Sequence, residues 1–466
     1  MLKRRARPGP SANMSYAERA PSRLGFWLAA ALVVCGVALG GRSGGTPLSE
    51  ALMRILAVGL LVWLAFAPRR AAGSRLVNAS LILMVATLVV AALQLVPLPE
   101  GLWRSMSGGP VAANILESAG ESIGLRPLTL NIDGTRETIL TLLPPFALFL
   151  AVIELDAADR RRLALFVLII AAASVVVGLL QFASRTGLYP YETTHEGYSV
   201  GLFSNRNHQA DLTLIAALLG SAFYAGRKKS PQSTAAVALL GLAFFAIIGL
   251  NLMAAASRGG ILMALPALSA CAVILFGGEL RKTSTLAAGL GIVVVASIYL
   301  IMRPDLFAHI FERFGAAGDD ARLETWPDVL RVIQMYLPFG SGLGTFVPVY
   351  QAIENLDLVG ERYLNHAHND YLEIALEMGI PGILLVGCFF ILFLWAAKNA
   401  LLGPADRAYR LLCGAAVVGI VVLLGHSVVD YPMRTSTLAL VFALLFGLLM
   451  PLPAGNARRR RQEHGP

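Results

Sequence analysis

Charge is what this sequence has least of. Asp, Glu, Lys and Arg make up 14% of its 466 residues, against about 25% in an ordinary soluble domain. That shortage leaves little room for a large water-facing domain. Cysteine is scarce too: Cys35, Cys271, Cys388 and Cys413 all fall inside apolar runs. They read as small packing residues, and their spacing excludes a disulfide framework or a zinc site. No internal repeat is visible, which argues against a carrier built from paired halves, the alternative from another functional class. Biased composition is confined to the ends, 1–22 and 453–466, rich in Arg, Pro and Ser. Both read as disordered cytoplasmic tails.

Apolar residues fill the rest. They make up 56% of the chain, and mean hydropathy is +0.67. Runs of about 20 apolar residues recur, each long enough to cross a bilayer of roughly 30 Å. The chain therefore reads as an all-α, polytopic integral membrane protein, with its membrane domain over 23–452. The spacing predicts about twelve transmembrane helices, near 24–41, 51–67, 76–96, 136–155, 163–183, 208–226, 234–256, 259–277, 284–302, 379–397, 408–429 and 436–452. Pro144 and Pro145 predict a kink in the fourth.

Basic residues set the expected orientation. With a cytoplasmic N-terminus, Lys3-Arg4-Arg5, Arg69-Arg70, Arg160-Arg161-Arg162, Arg227-Lys228-Lys229, Arg281-Lys282, Lys398 with Arg407, and Arg458–Arg461 all fall on the cytoplasmic side. The net charge of +9 then reflects topology and contact with the lipid bilayer, not nucleic-acid binding. The long segments 97–135, 184–207 and 303–378 face the other way, the last as a large periplasmic loop. A polar lead of about 20 residues before a long first apolar run does not resemble a cleaved secretory signal.

The polar residues of the outer face are the candidates for chemistry. In RLETWPDVLRVIQMYL, 322–337, the spacing puts Leu323, Trp326, Leu330, Ile333 and Leu337 on one helical face. That helix either lies in the membrane interface with Trp326 as anchor or packs on the loop's own core. PFGSGLGTF, 338–346, is either a phosphate-cradling loop or a Gly-rich turn. In NHAHNDYLE, 365–373, Asp370 and Glu373 have capping-box spacing, so a helix is expected to start there with His368 at its N-terminus. The positive end of the helix dipole disfavours imidazolium, and a neutral His is a suitable general base for an alcohol. The alternative is a surface His that helps cap the helix. His366 and His368 lack a third and fourth ligand, so no metal is expected. Arg258, in AASRGG, sits at a very short outer turn, and Arg322 opens the Trp-bearing helix. Each is either a snorkelling or topological residue or a fork for an anionic lipid-linked substrate. Arg206 in FSNRNHQADL is a third such candidate, with His208 beside it read as a helix-start residue.

These motifs resemble the O-antigen ligase and O-antigen polymerase superfamily. The hallmark there is His, then Asn, Ser or Gln, nine residues, and Gly-x-x-Gly. His368, Asn369, Gly379 and Gly382 match it without a gap. Ser257-Arg258-Gly259 matches the family's Ser-Arg-Gly turn. Arg322, Trp326, Pro338, Gly340 or Ser341 and Gly342 match its Arg, Trp helix and Pro-Gly turn loosely, one residue tighter. The resemblance is best over about 200–445, including HSVVDYPMR at 426–434. It extends to the N-terminal third only through span pattern and LQLVPLP at 93–99.

The resemblance implies a metal-independent, inverting glycosyltransferase of GT-C type, without cofactor, in the bacterial inner membrane. It would move a glycan from an undecaprenyl-diphosphate carrier to an acceptor such as lipid A core, in lipopolysaccharide or surface polysaccharide assembly. Arg258 and Arg322, with Arg206, would hold the diphosphate; His368 would activate the acceptor hydroxyl; Asn369, Gly379, Gly382 and His366 would support it. The same site would serve a polysaccharide polymerase or a protein O-oligosaccharyltransferase.

Overall fold

A computed structural model describes residues 23–44, 46–67, 71, 73–106, 108–184, 188–227, 234–276, 321–354 and 363–453, without the side chains of 111, 234–240 and 321–324. Both tails, the expected span at 284–302 and the first part of the 303–378 loop lie outside the described residues.

The described chain is helical. Seven helical stretches are long and apolar enough to cross a membrane: Pro47–Phe66 (α2), Arg75–Leu93 (α3), Ile132–Glu154, Ala157–Ser184 (α8), Arg258–Phe276 (α11), Asp370–Leu402 (α14) and Arg407–His426 (α15). Arg23–Leu39 (α1), Gly241–Ala255 within Thr234–Ala255 (α10), and Ser436–Leu448 (α16) are apolar but shorter. The expected kink in the fourth span is present: the stretch divides at Leu142 into Ile132–Thr141 (α6) and Leu143–Glu154 (α7), with Pro144 and Pro145 in the first turn of α7. There the missing prolyl N–H groups cost nothing, because the first turn's donors have no intrahelical acceptor.

The sixth expected span, Arg206–Gly226 (α9), is the centre of the bundle. It carries Arg206, Asn207, His208, Gln209 and Asp211 in its first two turns, and 205–219 is buried throughout. Helices α8, α10, α11 and α15 pack around it. Its polar residues are sheltered by protein, not lipid. Gln209 and Thr213 bond Asn251 of α10, and Ser174 of α8 bonds Gln209 at 2.6 Å.

Between α3 and α6 the chain forms a small cap: two antiparallel strands, Pro97–Leu98 (β1) and Arg126–Pro127 (β2), with helices Glu100–Ser105 (α4) and Gly109–Ser118 (α5). Ala321–Tyr336 (α12) and Phe346–Gln351 (α13) lie against the start of α14. Here the expected helix face needs correcting. Val329, Val332 and Ile333 are buried with Phe346, Val349, Ala367 and Leu376, whereas Leu330 is 48% exposed. The helix packs on the loop's own core. Trp326 is no interface anchor; its indole N–H donates to the Ala367 carbonyl at 3.0 Å.

The bundle has two distinct ends. At one, α1 hands over to α2, α9, α11, α14 and α16 begin, and α15 finishes; Ser204 N–H bonds Gly41 O, Thr437 N–H bonds Gly40 O, and Asp370 N–H bonds Ser427 O. At the other lie Arg160–Arg162, Arg227 and Arg407. They are tied together through Arg160 on Tyr409 and through the close approach of Gly226 to Ala408.

Candidate active site

Five residues ahead of α14 form a pinned loop. Asn369 is the cap, its side chain accepting from Tyr371 N–H at 3.0 Å and Leu372 N–H at 3.1 Å. The expected Asp370–Glu373 capping box is therefore displaced by one residue, and both carboxylates turn inward instead. Glu373 Oε2 accepts from Ala367 N–H at 3.1 Å. With Trp326 on the Ala367 carbonyl, the loop is held from both sides. His368 adopts φ +51°, a conformation costly for a residue with a Cβ and kept only where neighbours enforce it. Its Nδ1 lies 3.0 Å from the His366 carbonyl. A carbonyl only accepts, so Nδ1 carries the hydrogen and Nε2 of the neutral ring carries the lone pair. That is the tautomer a general base needs.

Tyr431 is the ring around which the histidines gather. His366, His368 and His208 lie 4.3, 4.9 and 5.2 Å from it, the last two edge to face. Three residues on sits Arg434, whose Nη2 is 3.1 Å from Glu377 and 3.5 Å from Glu373, with Nε 3.7 Å from Asp370. The spacing 370, 373, 377 puts all three carboxylates on one face of α14. Burial opposes the Arg434 charge, but Glu373, Glu377 and Asp370 outweigh it and raise its pKa. Glu373 also holds His366 Nδ1 at 2.8 Å, and His366 Nε2 meets Ser43 Oγ at 2.6 Å.

The start of α9 supplies the other wall. His208 Nε2 is 3.8 Å from Asp430, and Asn207 donates to the same carboxylate. His208 is thus part of the site, not merely the opening of a helix. Its polarity pattern carried no hint of this, because Asp430 lies 222 positions away. Arg206 stacks on Tyr198 at 4.4 Å, and its Nε and Nη1 are buried with no hydrogen-bond partner among the described residues. Asp211 and His426 pair at 2.6 Å one turn deeper.

Arg258 begins α11, after Ser257 accepts from Gly260 N–H. A Cβ on Gly259 would come 2.3 Å from His426 Nε2, so only glycine lets this turn sit on the end of α15. Ser427, next along, accepts Asp370 N–H and donates to its carboxylate at 2.7 Å. The turns that carry Arg258 and Arg206, and His368 itself, therefore border the same 426–434 segment. Arg322 is at the first turn of α12; its side chain lies outside the described residues.

PFGSGLGTF is built as a Gly-rich turn: the N–H groups of Gly340, Ser341, Gly342, Leu343 and Phe346 donate to Tyr336 O, Leu376 O, Glu377 O, Gln94 Oε1 and Glu377 Oε1. This turn is a socket for Gly379. That glycine has φ +58° and breaks the regularity of α14, and a Cβ on it would meet Pro338 O at 2.2 Å. Gly382 meets Met378 and Ile374 of its own helix. Gly379 is thus the member of the Gly-x-x-Gly motif that seats α14 on the 338–340 turn.

Ser43 carries no signal in the sequence; Asp430, Tyr431 and Arg434 lie in the HSVVDYPMR segment that shares the resemblance, but nothing there assigns them a role, and the run of three acidic residues at helical spacing on an apolar helix is the one further hint of a basic partner. Among the described residues, no three His, Cys, Asp or Glu side chains form a group that would hold a metal ion.

No curated protein matches the chain. Residues 242–387 match the family model described as O-antigen ligase, a segment that contains Arg258, Arg322, His368, Asn369, Gly379 and Gly382 and stops short of Tyr431 and Arg434. Over that segment the chain is similar to the O-antigen ligase family, and its long apolar helices make it a multi-pass membrane protein.

Proposed function

We propose that the protein is a GT-C-type, metal-independent inverting glycosyltransferase that moves a glycan from an undecaprenyl-diphosphate carrier to an acceptor hydroxyl, as an O-antigen ligase does. The single observation that carries this reading is His368. Its strained backbone and its Nδ1 bond to the His366 carbonyl leave Nε2 as the basic nitrogen, beside Tyr431 in the 426–434 segment that the turns carrying Arg258 and Arg206 also border. His368 takes the acceptor proton as the hydroxyl attacks the anomeric carbon. Arg258 and Arg206, with Arg322, bind the diphosphate and stabilise its charge as it leaves. The buried guanidinium nitrogens of Arg206 support this, since an anion would supply their absent partners.

The separation of the site from Arg160–Arg162, Arg227 and Arg407, at the other end of the bundle, supports an inner-membrane enzyme with cytoplasmic ends and a periplasmic site. The acceptor is read as lipid A core; polymerase and protein O-oligosaccharyltransferase activities would use the same groups.

Replacing His368 with Ala should lower transfer by roughly 10²–10⁴-fold while the protein inserts at normal levels. Arg258→Lys keeps the charge but loses the forked contact, and should lose most activity. EDTA should leave wild-type transfer unchanged. Full transfer by His368→Ala, or loss with EDTA, would overturn the assignment. Gel ladders of surface polysaccharide from a deletion strain would separate the acceptors: a ligase defect leaves lipid-linked polymer, and a polymerase defect leaves single repeat units.

A further inference from the structure

Ser43 stands in the turn between α1 and α2, 323 positions from its partner His366. It has no capping duty there, because Thr46 and Ser49 cap α2 between themselves. Its backbone bridges to Thr435, and its hydroxyl is 2.6 Å from His366 Nε2. On the other side of that ring, Nδ1 is 2.8 Å from Glu373 Oε1. Glu373 itself is fixed by Ala367 N–H and by Arg434. A carboxylate at Nδ1 puts the hydrogen there and leaves Nε2 to accept the Ser43 O–H. Tyr431 packs at 4.3 Å on the same imidazole. A hydroxyl, a base within hydrogen-bond reach and a carboxylate orienting the base make up a nucleophile-activating set. Ser43 is half-buried, so an electrophile can reach it. The adjoining Gly41 carbonyl accepts Ser204 N–H, which brings the turn beside the start of α9 and Arg206.

We propose that Ser43, His366 and Glu373 form a nucleophile site distinct from His368, at which the Ser43 hydroxyl accepts a glycosyl group from a glycosyl diphosphate onto the protein itself. The donor class rests on the function proposed above. Ser43 Oγ attacks the anomeric carbon, and the bond from that carbon to the diphosphate oxygen breaks. The electron pair leaves with the lipid diphosphate, and the Ser43 proton passes to His366 Nε2, giving an imidazolium that Glu373 holds. One displacement leaves a glycosylated serine of inverted anomeric configuration. Ser43 is then an acceptor alcohol presented in cis, on a turn bonded to the segment that leads into Arg206.

The experiment uses the full-length chain in lipid nanodiscs with an undecaprenyl-diphosphate-linked glycan, with and without an external acceptor. Peptide fragmentation should place a glycan adduct on Ser43, and not on Thr46 or Ser49. The adduct should be lost in Ser43→Ala and form roughly 10²–10⁴-fold more slowly in His366→Gln. A biotinylated fluorophosphonate tests the nucleophile without any glycan donor. Ser43 should displace fluoride, forming a phosphonyl ester as the P–F bond breaks, and His366→Gln should slow this labelling as well. Ser43 left unmodified and unlabelled while glycan transfer to the external acceptor proceeds would overturn the proposal alone. Absence of transfer to either acceptor would overturn the donor class on which it rests.

Discussion

Each end of the bundle sets an arginine among buried groups, and the two are neutralised in different ways. Arg160 is fully buried and donates to the carbonyls of Val152, Ile153, Leu155, Gly447, Met450 and Pro451 and to the Tyr409 hydroxyl. Those carbonyls belong to the C-terminal ends of α7 and α16, where helix dipoles are negative. The guanidinium is an internal cap for two helices, and its carbonyl partners cannot titrate. Arg434, at the other end, faces three buried carboxylates, one of which goes on to a histidine. Near it Arg206 and His208 keep buried nitrogens without hydrogen-bond partners among the described residues. One end is satisfied and rigid. The other holds unsatisfied polar atoms, which a purely structural region would not retain.

In the sequence Arg160 stands with Arg161 and Arg162 as one loop cluster of the positive-inside pattern. Only its neighbours fit that description: Arg162 is exposed and pairs with Asp159, whereas Arg160 is core.

Four substitutions sharpen the contrast. Arg434→Gln should be the most damaging, because it strands three buried carboxylates; breaking a buried ionic cluster costs about 3–5 kcal/mol. Thermal unfolding in detergent should show the loss, and transfer per folded molecule should fall with it. Undiminished transfer per folded molecule would remove Arg434 from the site. Arg160→Met should cost about 2–4 kcal/mol, because it leaves several buried carbonyls unpaired at about 1–3 kcal/mol each, with part of that relieved by water. Here specific transfer should survive in the fraction that folds. A drop in specific activity matching that of Arg434→Gln would erase the distinction between the two ends.

Gly379→Ala should cost about 1–3 kcal/mol, the range for a non-glycine residue forced into a left-handed conformation. Its Cβ would also push the Pro338 carbonyl away, so transfer should fall while membrane insertion is kept. The smallest effect is expected for Trp326→Phe. It removes one hydrogen bond to Ala367, about 0.5–1.5 kcal/mol, and should loosen the His368 loop enough to lower kcat with little change in melting temperature. An unaltered kcat would show that Glu373 alone is enough to hold the loop.

Much of the fold was legible because it is local. Apolar runs of bilayer length mark helices whatever surrounds them, and eleven of the expected spans coincide with described helices, although only seven are both long and apolar enough to cross. The kink at Pro144 and Pro145 was legible for the same reason. The face of α12 was misread by about one position, since Leu and Trp count as apolar wherever they point. Its burial is decided by Phe346, Val349 and Leu376, which come later in the chain. The Gly-rich turn was ambiguous because a glycine N–H looks the same in sequence whether it meets a phosphate or Glu377 O.

By itself the sequence determined the membrane character of the chain and the His368-to-Gly382 register, which falls inside the segment similar to the O-antigen ligase family. Each of these rests on residue type and spacing within a single helix or loop. The tertiary structure alone decided that Arg434 closes the acidic face of α14, that Tyr431 is shared by three histidines, and that Ser43 meets His366. Helical periodicity says which residues share a face, but not what that face meets. Here the partners come from turns at the ends of other helices, brought together only when the bundle packs around α9.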